Sequence, residues 1–125
     1  MVLRTHSTGT VTMTAATAPS STLSNVTGKI IALVIKPSGT STDFRISTTK
    51  AGVTEYLFGS AGAVSVAAAG EVIYPVVLRQ DLDGTALTDT ANQYGHFVLD
   101  NGDITIAVAN GAAAETYVVE VIVEE

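Results

Sequence analysis

The sequence contains no cysteine and no tryptophan, and only 14% of its 125 residues are charged. Without cysteine the chain has no disulfide framework, no thiolate nucleophile and no cysteine-based metal site. No apolar run approaches the roughly 20 residues that a membrane-spanning helix needs. The N-terminus also lacks the apolar segment of a secretory signal peptide. We therefore expect a chain that is synthesised in the cytoplasm and has no membrane partner.

Positive charge is scarce as well, and the net charge of −6 argues against binding to nucleic-acid phosphates across the surface. The charges are distributed unevenly. Residues 1–79 hold all six bases and three acids, whereas residues 80–125 hold nine acids and no base. Either the two parts present different surfaces, or their strands interleave in space and the charges mix. We favour mixing, because sandwich folds usually interleave strands that are distant in sequence.

What the sequence has in quantity is Val, Ile, Leu, Ala, Thr and Ser, together with eleven glycines. This composition favours strands and tight turns. The apolar segments predict about eight to ten short strands and little or no helix. We therefore expect an all-β fold, an antiparallel β-sandwich of jelly-roll-like type. Residues 28–125 would form the sandwich domain, and the Thr- and Ser-rich residues 1–27 an N-terminal arm or edge strand.

The clearest strand pattern lies at the chain end, in residues 103–125. Apolar residues alternate on one face in two runs: Ile104, Ile106 and Val108, then Tyr117, Val119, Val121 and Val123. Two such runs around Asn110-Gly111 predict a β-hairpin. Just upstream, residues 100–103 (Asp-Asn-Gly-Asp) have the composition of a type I′ turn. We expect that turn to join a short strand at 96–99 to the first run.

Two further segments are informative about strand position. Residues 28–36 form a continuous apolar run between Gly28 and Pro37, which is typical of a central strand buried on both faces. Residues 71–78 are strongly strand-like but contain Pro75. Proline cannot donate a ladder hydrogen bond, so this segment is expected at a sheet edge or a bulge.

Candidate catalytic and metal-binding residues are few. The two histidines, His6 and His96, have no metal-ligand spacing, and no phosphate-binding loop is present. The acidic run that begins at Asp81 lacks the Gly and Glu that a calcium loop requires at its sixth and twelfth positions, Ala86 and Asn92. We therefore expect no enzyme, cofactor or metal ion. The open alternative is a small enzyme that pairs His96 with a carboxylate of residues 80–103.

Three stretches resemble the small β-rich structural proteins of tailed bacteriophages: GKIIALVIKPSGTSTDFRIST, EVIYPVV and GDITIAVANGAAAETYVVEVIVEE. The resemblance covers residues 28–125. It implies a capsid decoration (cement) protein of the virion, a sandwich or jelly roll without catalytic residues. Such a protein binds the major capsid protein on the outer capsid surface, as a dimer or trimer of itself, and reinforces the head. An alternative is a phage head-fibre, tail or adhesin-type module that binds a host glycan through aromatic residues around Tyr94 and Phe97.

Candidate interface residues come from the N-terminal segment and the last strand. Glu120 shares a face with two apolar residues, so that face is not wholly core and is available for a subunit or capsid contact. Residues 1–27 would add a weakly specified strand to a neighbour. The predicted interface residues are Val11, Met13, Tyr117, Val118, Glu120 and Ile122.

Overall fold

The computed structural model describes residues 2–14, 20–39, 42–59, 64–78 and 94–125, which form eleven β-strands and no helix. In chain order the strands are β1 (Leu3–Ser7), β2 (Val11–Thr12), β3 (Ser21–Pro37), β4 (Asp43–Lys50), β5 (Val53–Phe58), β6 (Val64–Ser65), β7 (Glu71–Ile73), β8 (Val77–Leu78), β9 (Tyr94–Gly95), β10 (Val98–Ala109) and β11 (Thr116–Glu124). The predicted all-β class is confirmed, whereas the sandwich and jelly-roll details stay predictions. Within these ranges no helix long and apolar enough to cross a membrane occurs.

One antiparallel sheet contains nine of these strands, in the order β1-β11-β3-β10-β4-β5. Strand β2 pairs with β11, β6 with β4 and β7 with β3, while β8 and β9 form a separate pair. The two parts of strand β3 have different partners: residues 21–29 pair with β10, and residues 29–37 pair with β11. We call β1, β2, β7, β11 and residues 29–37 the β11 half. The β10 half is β4, β5, β6, β10 and residues 21–29.

Gly28 marks the point at which β3 changes its main partner. Its φ is 129°, and a β-carbon there would lie 2.6 Å from the carbonyl oxygen of Glu124. Leu99 of β10 is opposite Gly28, whereas Glu124 of β11 is opposite the next residue, Lys29. Only glycine accepts both this backbone conformation and this close approach. Glycine at position 28 therefore allows β3 to pair with both β10 and β11.

The two halves share one apolar core. The ring of Phe44 in β4 packs edge-on against the ring of Tyr117 in β11, and the Tyr117 hydroxyl lies 2.7 Å from Ser21 Oγ. The largest aliphatic side chains of the core are fully buried: Ile30, Leu33, Ile35, Ile46, Ile104 and Ile106. Each such side chain stabilises the fold by about 1.5–3 kcal/mol relative to exposure. The inward faces predicted for β10 and β11 are those that the structure buries.

The predicted hairpin between β10 and β11 is wrong. Strand β10 pairs with β3 and β4, whereas β11 pairs with β1, β2 and β3. Residues 110–115 carry the chain from the β10 half to the β11 half, with Asn110 and Ala114 at φ values of 58° and 70°. The alternating pattern identifies the face that each strand buries, and both strands do bury that face. The alternating pattern does not identify the strands with which β10 and β11 pair. The two strands contribute to the core from different halves.

The predicted type I′ turn at residues 100–103 is also wrong, because β10 continues from Val98 to Ala109. Its register against β3 shifts between Leu99 and Gly102, and again before Ile104. Asn101 has a φ of 52°, and its N–H donates a hydrogen bond to Thr27 Oγ1 at 2.8 Å. Asn-Gly here forms a β-bulge. The same residues suit a turn and a bulge, because both need positive φ.

The N-terminal residues are part of the same sheet. Strand β1 lies at the sheet edge and pairs with β11 from Leu3↔Glu124 to Ser7↔Glu120. Strand β3 begins at Ser21, so the predicted boundary between residues 27 and 28 falls inside a strand. Residues 29–37 lie between β11 and β7, so the predicted central position is confirmed. The predicted burial on both faces is wrong, because Val34 is half-buried and Lys36 is exposed on the outward side. Pro75 follows the short edge strand β7, as expected for proline at an edge.

Candidate interaction surface

Three of the six predicted interface residues lie together on the outward side of β11. Val118, Glu120 and Ile122 are each half-buried there. Val11 is also half-buried and packs against the core from β2. Met13 and Tyr117 are only 1% and 0% exposed. Neighbouring residues of a strand point to opposite faces, so Tyr117 turns inward where Val118 turns outward. The side chains of Met13 and Tyr117 belong to the core and not to an exposed surface.

The outward side of the β11 half has an apolar centre, which we call the outer face. Ile122 of β11 is opposite Ala32 of β3, and Val34 lies two residues further along β3 on the same side. Ala32 is only 4% exposed although it faces away from the core. The apolar residues of the outer face are Ala32, Val34, Val118 and Ile122.

The charges next to this apolar centre are paired. Lys36 Nζ lies 3.6 Å from Glu120 Oε1, and Lys29 Nζ lies 3.8 Å from Glu124 Oε1. A third pair joins Arg4 to Glu125 at 2.5 Å. All are partly exposed, and such pairs contribute about 0–1 kcal/mol each. Each of these three pairs joins a base from residues 1–79 to an acid from residues 80–125. The strands therefore interleave and mix the two charge types, as predicted.

An exposed apolar segment follows the free edge of the β11 half. Val72, Tyr74 and Val76 are exposed, whereas Ile73 between them is half-buried and Pro75 is buried. This alternation continues past the end of β7. Tyr74 is 68% exposed, the most exposed of the large hydrophobic side chains in the described ranges. The sequence placed the strand-like run 71–78 at a sheet edge or a bulge but did not assign it an exposed face; the alternation on either side of Pro75 was the signal for two different faces.

Beside this segment lies a shallow groove of about 150 Å³, lined by Val34, Lys36, Ala69, Gly70, Glu71 and Val72. Gly70 forms part of its wall. A β-carbon at Gly70 would lie 2.9 Å from the carbonyl oxygen of Ile35, and φ is 85°. Glycine thus allows the turn before β7 to approach β3 closely. The groove joins the outer face to the exposed segment through Val34 and Val72.

A second shallow groove, of about 260 Å³, lies on the β10 half. Arg45 and residues 107–109 line it. Arg45 is opposite Ala107 across the β4–β10 pair, and Asp43 is opposite Ala109. Because alanine side chains are small, the surface over this part of β10 is recessed. Its floor is apolar and its wall carries one cationic side chain.

The residues considered for chemistry are not brought together. His96 is exposed and makes no hydrogen bond or ion pair with a described residue, and the Nε2 atom of His6 is buried without a partner. No cluster of three or more His, Asp or Glu suited to a metal ion occurs in the described ranges. The acidic run at residues 81–92 lies outside them. Phe97, which the glycan alternative places in an exposed groove, is buried in the core.

In comparisons with known proteins, no family model, curated protein or solved structure matched the chain.

Proposed function

We propose that this chain is a non-enzymatic structural protein of a phage virion, a capsid decoration protein. It binds the major capsid protein on the outer surface of the head as a small homo-oligomer and stabilises the particle. The sequence resemblance over residues 28–125 motivates this proposal. The observation that supports it most is the outer face, where an apolar centre is bordered by charges that are already paired.

The outer face has the physical properties of a docking surface. Its apolar residues lie on two adjacent, long strands, β3 and β11, so the backbone beneath them is held by ladder hydrogen bonds on both sides. An interface usually has an apolar centre from which unpaired charges are depleted. The Lys36–Glu120 and Lys29–Glu124 pairs meet this condition within one chain. Burying a paired charge is less unfavourable than burying an isolated one.

Decoration of a capsid needs only modest affinity at each site. When several copies are linked in an oligomer, binding of the first raises the effective concentration of the others near adjacent sites. Among the described residues, the groove beside the outer face is shallow, which suits such multivalent adhesion better than recognition of a small ligand that usually needs a concave site.

We propose a smaller role in capsid or subunit binding for the N-terminal segment than an independent arm would have. Strand β1 already pairs with β11 of its own chain. Its other edge has no strand partner among the described residues, so it offers free backbone groups to a strand of the capsid or of a neighbour. We propose this edge as a secondary contact beside the outer face.

The test is an add-back experiment with phage heads that lack this protein. The wild-type chain is expected to bind at a fixed stoichiometry and to raise the temperature at which the heads disrupt. Ile122→Lys should lose binding, because it places a cation at the centre of the outer face. Because Ile122 is only half-buried, a lysine there can extend its charge to solvent, and thermal unfolding checks that the variant is folded.

Val53→Lys is the matched control, since Val53 is an exposed valine on β5 at the opposite end of the sheet. It should bind as the wild type does. If Ile122→Lys binds equally well, the outer face is not the capsid contact. If the wild-type chain neither binds heads nor occurs in purified virions, the decoration proposal itself is wrong.

A further inference from the structure

Two Asn-Gly dipeptides occur in the chain, and the structure places them in different backbone environments. Asn101-Gly102 lies inside β10, where the Asn101 N–H donates a hydrogen bond to Thr27 Oγ1 and Gly102 pairs with β3. Asn110-Gly111 lies in the connection that follows β10. Both asparagines are exposed and have positive φ values, 52° and 58°. The two sites therefore differ in the surrounding fold and not in the dipeptide itself.

Glycine makes the asparagine before it reactive. Because glycine has no side chain, its backbone nitrogen can approach the side-chain carbonyl carbon of that asparagine without steric hindrance. Asparagine is among the residues that heat degrades in proteins. The reaction requires a glycine nitrogen that is free to move toward the side chain. The Gly111 N–H makes no backbone hydrogen bond with a described residue, whereas β10 holds Gly102 in its pairing with β3.

The Asn110 side chain also has a specific neighbour. Its Nδ2 atom donates a hydrogen bond to Asp43 Oδ2 at 2.6 Å. Asp43 is the first residue of β4 and lies opposite Ala109, the last residue of β10. The hydrogen bond is solvent-exposed, so it restrains the amide only weakly. An amide suits this position, because a carboxylate in its place would face the carboxylate of Asp43.

We propose that Asn110 is a site of spontaneous deamidation, which converts an attractive contact with Asp43 into a repulsive one. The Gly111 nitrogen attacks Asn110 Cγ, so that a new N–Cγ bond forms and the Cγ–Nδ2 bond breaks. The Gly111 N–H loses its proton, the leaving nitrogen takes up a proton, and ammonia departs. Water then opens the cyclic imide at either of its carbonyl carbons and gives aspartate or isoaspartate at position 110. Water is the only co-reactant.

The modified residue lies in a connection that joins several parts of the fold. Within residues 110–115, the Ala114 N–H donates a hydrogen bond to the Met13 carbonyl oxygen at 2.9 Å, and the Glu115 carboxylate accepts one from Thr42 Oγ1 at 3.2 Å. Two neighbouring carboxylates are unfavourable when both are ionised, and isoaspartate also adds a methylene group to the backbone. Deamidation therefore adds a negative charge and weakens the attachment of this connection to β4.

The experiment incubates the purified, folded chain at mildly alkaline pH and follows both sites by peptide mapping with mass spectrometry. Asn110 should lose its amide at least about 10-fold faster than Asn101, because Asn101 reacts only after the β10 bulge opens locally. In urea the two sites should react at similar rates, which separates the effect of the fold from that of the dipeptide. Gly111→Ala should slow the reaction at Asn110, since the added side chain hinders the attacking nitrogen. Gly102→Ala is the matched control and should leave the rate at Asn110 unchanged.

Thermal unfolding tests the consequence of the reaction. Asn110→Asp carries the aspartate product from the start and should lower the unfolding temperature by about 3 °C at neutral pH. Adding Asp43→Asn to that variant exchanges the acid and the amide, so it should restore the wild-type value.

The proposal is overturned if Asn110 keeps its amide in the folded chain, if the two sites react equally fast there, or if Asn110→Asp is as stable as the wild type. Because these measurements need no phage heads, their outcome is independent of the capsid proposal.

Discussion

The rings of Phe44 and Tyr117 meet edge to face, with centroids 5.4 Å apart and planes inclined by 82°. The two residues come from β4 and β11, strands that are not neighbours in the sheet. Their contact shows that the β10 half and the β11 half contribute side chains to one apolar core. Such a pair contributes about 0.5–1.5 kcal/mol beyond the area it buries.

The Tyr117 hydroxyl provides the first prediction. Tyr117→Phe should lower the free energy of unfolding by about 1 kcal/mol, because it removes the 2.7 Å hydrogen bond with Ser21 Oγ and keeps the ring. Tyr117→Ala should lower it by about 4 kcal/mol, since a fully buried aromatic side chain is lost. Urea unfolding of Tyr117→Phe, Ser21→Ala and the double variant measures the pairing. If the two single effects simply add, the hydrogen bond contributes nothing.

Gly28 provides the second prediction. Gly28→Ala should lower the free energy of unfolding by about 2 kcal/mol or more, because the new β-carbon would combine a strained φ with the contact to the Glu124 carbonyl oxygen. Gly52→Ala is the matched control, with a φ of 81° and no atom within 4 Å of the added carbon. It should show the cost of strain alone, about 1 kcal/mol. Equal effects in thermal unfolding would mean that the close approach at Gly28 is unimportant.

The edge strand β1 provides the third prediction. Removing residues 2–8 should lower the free energy of unfolding by about 3 kcal/mol, because it breaks a ladder of backbone hydrogen bonds to β11. The uncovered edge of β11 should then promote self-association, which light scattering detects. A synthetic peptide of residues 2–8 should reverse both effects.

A double substitution serves as control for that deletion. Val2→Ser with Leu3→Ser removes exposed apolar side chains and keeps the ladder, so it should change stability by less than about 0.5 kcal/mol. A truncated chain that stays monomeric and equally stable would show that β1 is not an integral strand of the fold.

The sequence predicted which face of each strand is buried better than it predicted strand partners. Ile104, Ile106 and Val108 in β10, and the alternating residues of β11 from Tyr117 to Val123, are buried as expected. The hairpin and the type I′ turn were wrong, because Asn-Gly permits positive φ in a bulge or a connection as readily as in a hairpin turn. The interface itself stays a prediction, and the structure reports only where its residues lie. Val118, Glu120 and Ile122 face outward, whereas Met13 and Tyr117 are in the core.

The exposure of Tyr74 could not be predicted from the local sequence pattern alone. An alternating run looks the same whether its second face meets solvent, a second layer of the protein or a partner. Only the tertiary structure shows that the face that carries Val72, Tyr74 and Val76 is exposed.

The alternation of apolar and polar residues established an all-β chain and the inward side of its main strands, because period two is a geometric property of one extended strand. Tertiary structure decided the rest. It placed β10 and β11 on opposite sides of β3, selected which bases pair with which acids, and left the Tyr74 side chain exposed. Those outcomes depend on contacts between residues far apart in the chain, which no local period encodes.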